Sequence, residues 1–178
     1  MNLFLPFEND VKSSVECLDN ARLNKQILEC YQLLTSAIKE KNGEKPNGWY
    51  KHPVYVFYRD DIEFLDYYGF ICCCEYFFRF HKMHKLANKF GVIYKGKMTS
   101  LKDDYYMVNI WATPKFTPYY MEGSKGQPNY IRTTENVSAL FQAKLCKKWE
   151  QDKAKGLPPK WTNRPVPQFY EKFLKESE

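Results

Sequence analysis

From the cap-forming residues Asn9, Asp10, Ser13 and Ser14 to about Glu40, the apolar residues Leu18, Leu23, Ile27, Cys30 and Leu34 recur at helical spacing. That period predicts one long amphipathic helix whose apolar stripe must be buried against other helices. A polar linker from Lys41 to Gly48, with Gly43, Pro46 and Gly48, ends it. After His52-Pro53, a ring-rich stretch from about Val54 to Lys89 predicts a short helix and then a long one that supplies the central core. A third helix is signalled from Thr133 or Thr134, where Val137, Leu140, Phe141 and Leu145 give an apolar face and Lys144 and Lys148 a basic one. Past Gly156, a tail rich in proline precedes a short helix from Gln168 to Lys175. The stretch Gly91 to Tyr130 holds Gly and Pro with no sustained period, and a segment of that kind in a compact domain is usually functional or mobile.

The expected architecture is therefore all-α: a compact, single-domain helical bundle over residues 1–178 with a long irregular loop region. A chain of 178 residues fits one domain and is long enough to bury a sizeable core.

Lys and Arg number 27 against 21 Asp and Glu, for a net charge of +6. An excess of that size suits a polyanionic partner, but only its distribution can decide. The 13 Phe and 14 Tyr can fill a core or stack on bases, and composition does not choose. None of the six cysteines stands in a C-x-x-C spacing, and Cys72, Cys73 and Cys74 point about 100° apart on a helix, so they cannot grip one metal together. Reduced, buried thiols are expected, with no metal and no cofactor. There is no leader-like start and no apolar run near the ~20 residues that span a bilayer. A cytoplasmic protein is expected, or one of the nucleus or a viral replication site, depending on source.

Three constellations carry chemistry. Asp19, Arg22, Gln26 and Glu29 fall within one arc of about 80° beside the apolar stripe. Arg22 can clamp a phosphate, Gln26 can hydrogen-bond a base or sugar, and Asp19 or Glu29 can act as acid or base; a solvated face with spaced ion pairs has the same pattern. Gly48-Trp49-Tyr50-Lys51-His52-Pro53 sets rings and a histidine at a turn, where proline holds His52 extended. Between Lys144 and Arg164 lie seven basic residues interleaved with Trp149 and Trp161, which suits phosphate contact beside ring stacking or a solubilising surface. His81 and His84 lack an evident third ligand and are read as surface histidines.

Several stretches, in order along the chain, resemble the pyrimidine-dimer DNA glycosylase family of the endonuclease V type, in its wider bacterial and viral branch. They are Phe4-Leu5-Pro6, Leu18-Asp19 to Arg22-Leu23 with Lys25-Gln26, Gly48-Trp49, the run from His52-Pro53 to Phe64-Leu65, Asn129-Tyr130-Ile131, and Gln142 to Leu145 with Lys148. The resemblance implies a helical fold in which the N-terminal segment threads between helices and presents its α-amine to a damaged nucleotide. It implies a DNA repair glycosylase with AP lyase activity that excises pyrimidine dimers or another altered base through a Schiff base. The implied partner is damaged or modified double-stranded DNA, bound by a monomer.

Position by position, the resemblance carries over Arg22, Lys144, Lys148 and Trp161 and aligns Met1 with the nucleophile; with the helix-one carboxyls added, Met1, Asp19, Arg22 and Glu29 are the catalytic candidates. Asn2, Lys25, Gln26, Trp49, His52, Lys144, Lys148 and Trp161 are the DNA-binding candidates. Two departures stand out. Leu23 occupies the place of the family's catalytic glutamate, so the acid must be Asp19, the first choice, or Glu29; and Asn2 is bulky for methionine removal, so Met1 is expected to stay and to supply the amine. The alternatives are a DNA-binding module of the same fold without chemistry, and a protein-interaction domain that uses the aromatic loop from Tyr105 to Tyr120.

Overall fold

The computed structural model describes residues 2–7, 10–48, 50–91, 120–122, 129–131 and 137–177. The loop from Tyr105 to Tyr120, the Thr133-Thr134 start of the third helix, Met1 and Trp49 lie outside these residues, Tyr120 itself excepted. Six α-helices are described: α1 (Val11–Glu16), α2 (Asn20–Lys41), α3 (Pro53–Tyr58), α4 (Ile62–Phe80), α5 (Val137–Ala154) and α6 (Gln168–Glu176). The all-α expectation holds, with one addition. Tyr120–Glu122 (β1) and Asn129–Ile131 (β2) pair antiparallel, with Met121 opposite Tyr130, in a stretch expected to be irregular.

The long first helix is in fact two. Asp10 caps α1, its carboxyl accepting from Ser13 N at 2.8 Å and from Ser13 Oγ at 2.6 Å. The chain turns at Cys17–Asp19 because partners remote in sequence take up the polar groups exposed there. Arg79 of α4, 1% exposed, donates to the carbonyls of Leu18 (2.7 Å) and Glu16 (2.9 Å) and to Asn20 Oδ1 (3.1 Å). At the start of α2, Asn20 N donates to Lys160 O at 2.8 Å, and Asn20 Nδ2 donates to Thr162 Oγ1 at 2.8 Å. No local periodicity reports pairings between residues so far apart.

α2 lays Leu23, Ile27, Cys30, Leu33, Leu34 and Ala37 into the core, chiefly against α4. His52 caps α3 with its ring, accepting from Val54 N at 3.2 Å, and Pro53 occupies the first helical position, where its missing N–H costs nothing. α4 ends at His81, left-handed at φ 50°, whose N–H returns to Phe77 O at 2.8 Å. His84 is not a surface histidine. It is 8% exposed, sets its ring 5.0 Å from that of Tyr76, and faces Asn24 Oδ1 at 3.2 Å.

The N-terminal segment Asn2–Pro6 belongs to no helix or strand yet is buried, with Leu3 and Leu5 at 0% and 1% exposure. It runs between α2, α4 and α5. Tyr68 Oη lies 3.2 Å from Phe4 O, Gln142 Nε2 donates to Pro6 O at 2.8 Å, and the Phe4 ring meets Phe141 edge-on at 5.9 Å. Trp149 closes the other side of α5. It is fully buried, with Trp161 at 5.1 Å, Tyr170 at 4.9 Å and Phe169 stacked at 5.8 Å.

All six cysteines are free, and five are buried. Burial pushes their thiols above the ordinary range, to about 12 for the partly buried Cys74 and about 11 for Cys146, so they are weak nucleophiles near neutral pH. Among the described residues, no helix is long and apolar enough to cross a membrane.

Gly69 lets α4 touch the segment that follows it. A Cβ there would stand 2.1 Å from Phe90 Cε1, and the Phe90 ring is itself 4% exposed and backed edge-on by Tyr31. Gly69→Ala is expected to cost about 1–3 kcal/mol through overpacking. Thermal unfolding would show this as a Tm lower by roughly 2–4 °C per kcal/mol. An unchanged Tm would mean that the ring has somewhere else to go.

Candidate active site

The first turns of α2, the N-terminal segment and the last three turns of α5 enclose a cleft of ≈ 450 Å³. Arg22, Lys25, Gln26 and Glu29 line it from α2, Lys144, Lys148 and Asp152 from α5, and Asn2 and Phe4 from the N-terminal segment, with Ala21 leaving room at the rim. Residues 22, 25, 26 and 29 recur every three or four positions and so share one face of α2; 144, 148 and 152 share one face of α5 in the same way.

Gln26 joins the walls. It is 1% exposed, and its amide spends its full hydrogen-bonding capacity. Oε1 accepts from Phe4 N at 3.0 Å and from the Tyr68 hydroxyl at 2.8 Å, while Nε2 donates to Asn2 O at 2.9 Å and to Glu29 Oε2 at 3.1 Å. One side chain thus fixes the backbone of the N-terminal segment and aims the Glu29 carboxyl.

Glu29 is mostly enclosed, its side chain 13% exposed, with Lys25 Nζ at 3.7 Å. Burial pushes its carboxyl above the ordinary carboxylate range, against the opposing pull of Lys25. Lys148 shows the reverse. Burial, with Arg22 and Lys25 nearby, holds its ammonium below the usual lysine value. A carboxyl that keeps its proton more readily and an amine that loses one more readily are suited to proton transfer in one cleft.

Arg22 is clamped from both sides. Nη1 donates to Asp19 Oδ1 at 3.1 Å and Nη2 to Asp152 Oδ2 at 2.7 Å. Asp19 does not line the cleft. It is 2% exposed, precedes the first residue of α2, and the same Oδ1 accepts from Trp149 Nε1 at 2.8 Å. The first choice for the acid thus sits behind Arg22, and Glu29 is the carboxyl that opens into the cleft beside Asn2.

The remaining candidates are scattered. His52 sits at the start of α3, its imidazole held below the ordinary value mainly by burial. Trp161 packs on Trp149 and donates to Cys17 O at 2.8 Å. The basic run from Lys144 to Arg164 is not one patch. Arg164 turns inward to Glu75 (2.6 Å) and Glu16 (3.0 Å) with its guanidinium 4.0 Å from the Phe78 ring, and Trp149 is core rather than a stacking surface. Asp152 is the lining residue that sequence reading missed. The signal for it was its place four residues after Lys148. A larger, more open hollow of ≈ 1070 Å³ near Glu40 and Arg59 lacks such convergence, since Glu40 is engaged by the Tyr55 hydroxyl at 2.5 Å and by Arg59 at 3.3 Å.

A small cleft lined by four cationic and two acidic side chains suits an anionic ligand, and its shifted carboxyl and amine suit proton transfer. Residues 1–88 match the family described as pyrimidine dimer DNA glycosylase. The match takes in the N-terminal segment and the α2 wall of the cleft, whereas Lys144, Lys148 and Asp152 lie beyond it. It supports a DNA repair role of glycosylase type, with DNA as the substrate. Neither a curated protein nor a solved structure gave a significant match.

The burial of Glu29 sets a stability test. Its folded-state pKa is raised, so the folded protein holds that proton more tightly than the unfolded chain does. The associated stability is complete below the unfolded value and lost as pH rises through the folded one. Glu29→Gln keeps an oxygen to accept from Gln26 and has no charge to bury. It is expected to melt above the parent at about pH 8 and level with it near about pH 4. A parent that melts higher at both pH values would contradict the assignment.

Proposed function

We propose that this protein is a DNA glycosylase with AP lyase activity, in which the α-amine of Met1 is the nucleophile and Glu29 the acid. One observation carries the reading: Gln26 holds the Asn2 carbonyl and the Glu29 carboxyl on the same amide nitrogen. The amine stands one peptide unit upstream of Asn2, and successive Cα atoms are ~3.8 Å apart. An amine tethered this closely to Asn2, which lines the cleft, supports the reading.

The α-amine attacks C1′ of the damaged nucleotide, and the sugar ring opens as Glu29 gives its proton to O4′. The bond from C1′ to the base breaks, the base leaves with the electron pair and a proton from the attacking amine, and an iminium remains. The Glu29 carboxylate then takes a C2′ proton, and the C3′–O bond breaks in β-elimination, releasing the 3′ strand. An α-amine suits this role because its ordinary pKa of about 8 leaves a useful fraction neutral near pH 7. Arg22, Lys25, Lys144 and Lys148 hold the backbone phosphates around the extruded nucleotide, whose removal from the stack costs a few kcal/mol. Asp19 is a positioning residue, since it orients Arg22 and touches no substrate.

Borohydride added to protein and a duplex carrying one abasic site or one pyrimidine dimer is expected to trap a covalent adduct. Glu29→Gln is expected to form it at least about 100-fold more slowly, the usual scale for loss of a general acid. Lys144→Ala and Lys148→Ala should weaken duplex binding whatever the sequence and flatten its salt slope by about one unit for each phosphate no longer neutralised. No adduct on any abasic or dimer-containing duplex would reject the chemistry.

A second reading has its own observation. Leu23, where the family carries its glutamate, is fully buried in the core, which suits a DNA-binding module of this fold that performs no chemistry. Duplex binding without any adduct would single it out.

A further inference from the structure

We propose that Asp152 is a specificity-determining residue: an internal anion that occupies Arg22 until a phosphate displaces it, so that only a duplex able to enter the cleft gains the Arg22 interaction. The inference rests on the reading of the cleft as a DNA site and deepens it. Two carboxyl groups hold Arg22, and they differ in kind. Asp19 is 3% exposed in its side chain and anchored to the Trp149 indole, so it cannot move without disturbing the core. Asp152 is 34% exposed, lines the cleft, and touches Arg22 at 2.7 Å. A phosphate arriving through the cleft meets the guanidinium from the Asp152 side. It can replace that carboxylate while Asp19 keeps Arg22 aimed.

Asp152 lies in the last turn of α5, where the helix dipole disfavours an acidic side chain; Lys148 and Lys155, a turn away on either side, offset this in part, and Arg22 is its direct partner. The hydrogen bond from Arg22, with the charges of Arg22, Lys155 and Lys148, holds its carboxyl below the ordinary carboxylate range. With Asp152 in place the cleft mouth presents Arg22 already neutralised, beside Lys25, Lys144 and Lys148. Undamaged duplex, which touches only the mouth, must compete with an internal anion. An extruded nucleotide brings its phosphates inward and can win that competition.

The test is a binding titration with two labelled duplexes, one undamaged and one identical except for a single abasic site. Asp152→Asn and Asp152→Ala are each expected to tighten binding of undamaged duplex by about threefold or more at ~0.1 M salt, with a steeper salt slope, and to shrink the preference for the abasic duplex. Asp152→Glu, which keeps the anion, should restore the parental preference; a merely structural role would not follow charge in this way. Unchanged or weaker binding of undamaged duplex by both neutral variants would overturn the proposal. Absence of a borohydride adduct together with tighter Asp152→Asn binding would instead reject the lyase chemistry and leave the role of Asp152 standing.

Discussion

The Gln26 amide is the joint on which the candidate site depends. A segment outside helix and strand that is buried among helices must satisfy its backbone polar groups by other means, and each left unmet would cost about 1–3 kcal/mol. Gln26 meets Phe4 N–H with its oxygen and Asn2 C=O with its nitrogen, and this pairing also fixes which way round the amide lies. Tyr68 supports the oxygen from α4, and Glu29 takes the second amide proton. Start of chain, helix face and carboxyl therefore share one residue that is itself immobilised.

A second network determines where α2 begins, and with it where Arg22 points. Arg79 and Arg164 share Glu75, Arg164 also reaches Glu16, and Arg79 serves the carbonyls at the corner between α1 and α2. Ion pairs this deeply buried add little net stability over an apolar packing, because desolvation offsets most of the attraction. Their effect here is positional. With the corner fixed, Asp19 meets the Trp149 indole, and Arg22 lies one turn on, between the carboxyl behind it and Asp152 in front.

Much of this was legible in the residues. The apolar stripe of α2, the short and long helices after His52-Pro53, and the final helix from Gln168 all follow from period and punctuation. Arg22, Gln26 and Glu29 were read on one face with Asp19 by arithmetic alone; that Lys25, Lys144 and Lys148 line one cleft with them, and that Asp19 does not, comes from the packing. What escaped were features set by partners distant in sequence. The break at Cys17–Asp19 depends on Arg79 and on Lys160 to Thr162, the withdrawal of Asp19 on Trp149, the inward turn of Arg164 on Glu75, and the placement of His84 on Asn24. Ranking Asp19 above Glu29 followed from its sequence distance to Arg22, and only burial could reverse that order.

The proposed chemistry turns on which amine is the nucleophile: the α-amine of Met1, or the ε-amine of Lys148, which lines the cleft and which burial makes easier to deprotonate. Peptide mapping by mass spectrometry of a borohydride-reduced complex with abasic DNA decides between them. The account predicts the sugar remnant on the α-amine of Met1. A remnant on Lys148 or any other lysine, with the N-terminal peptide unmodified, would contradict it.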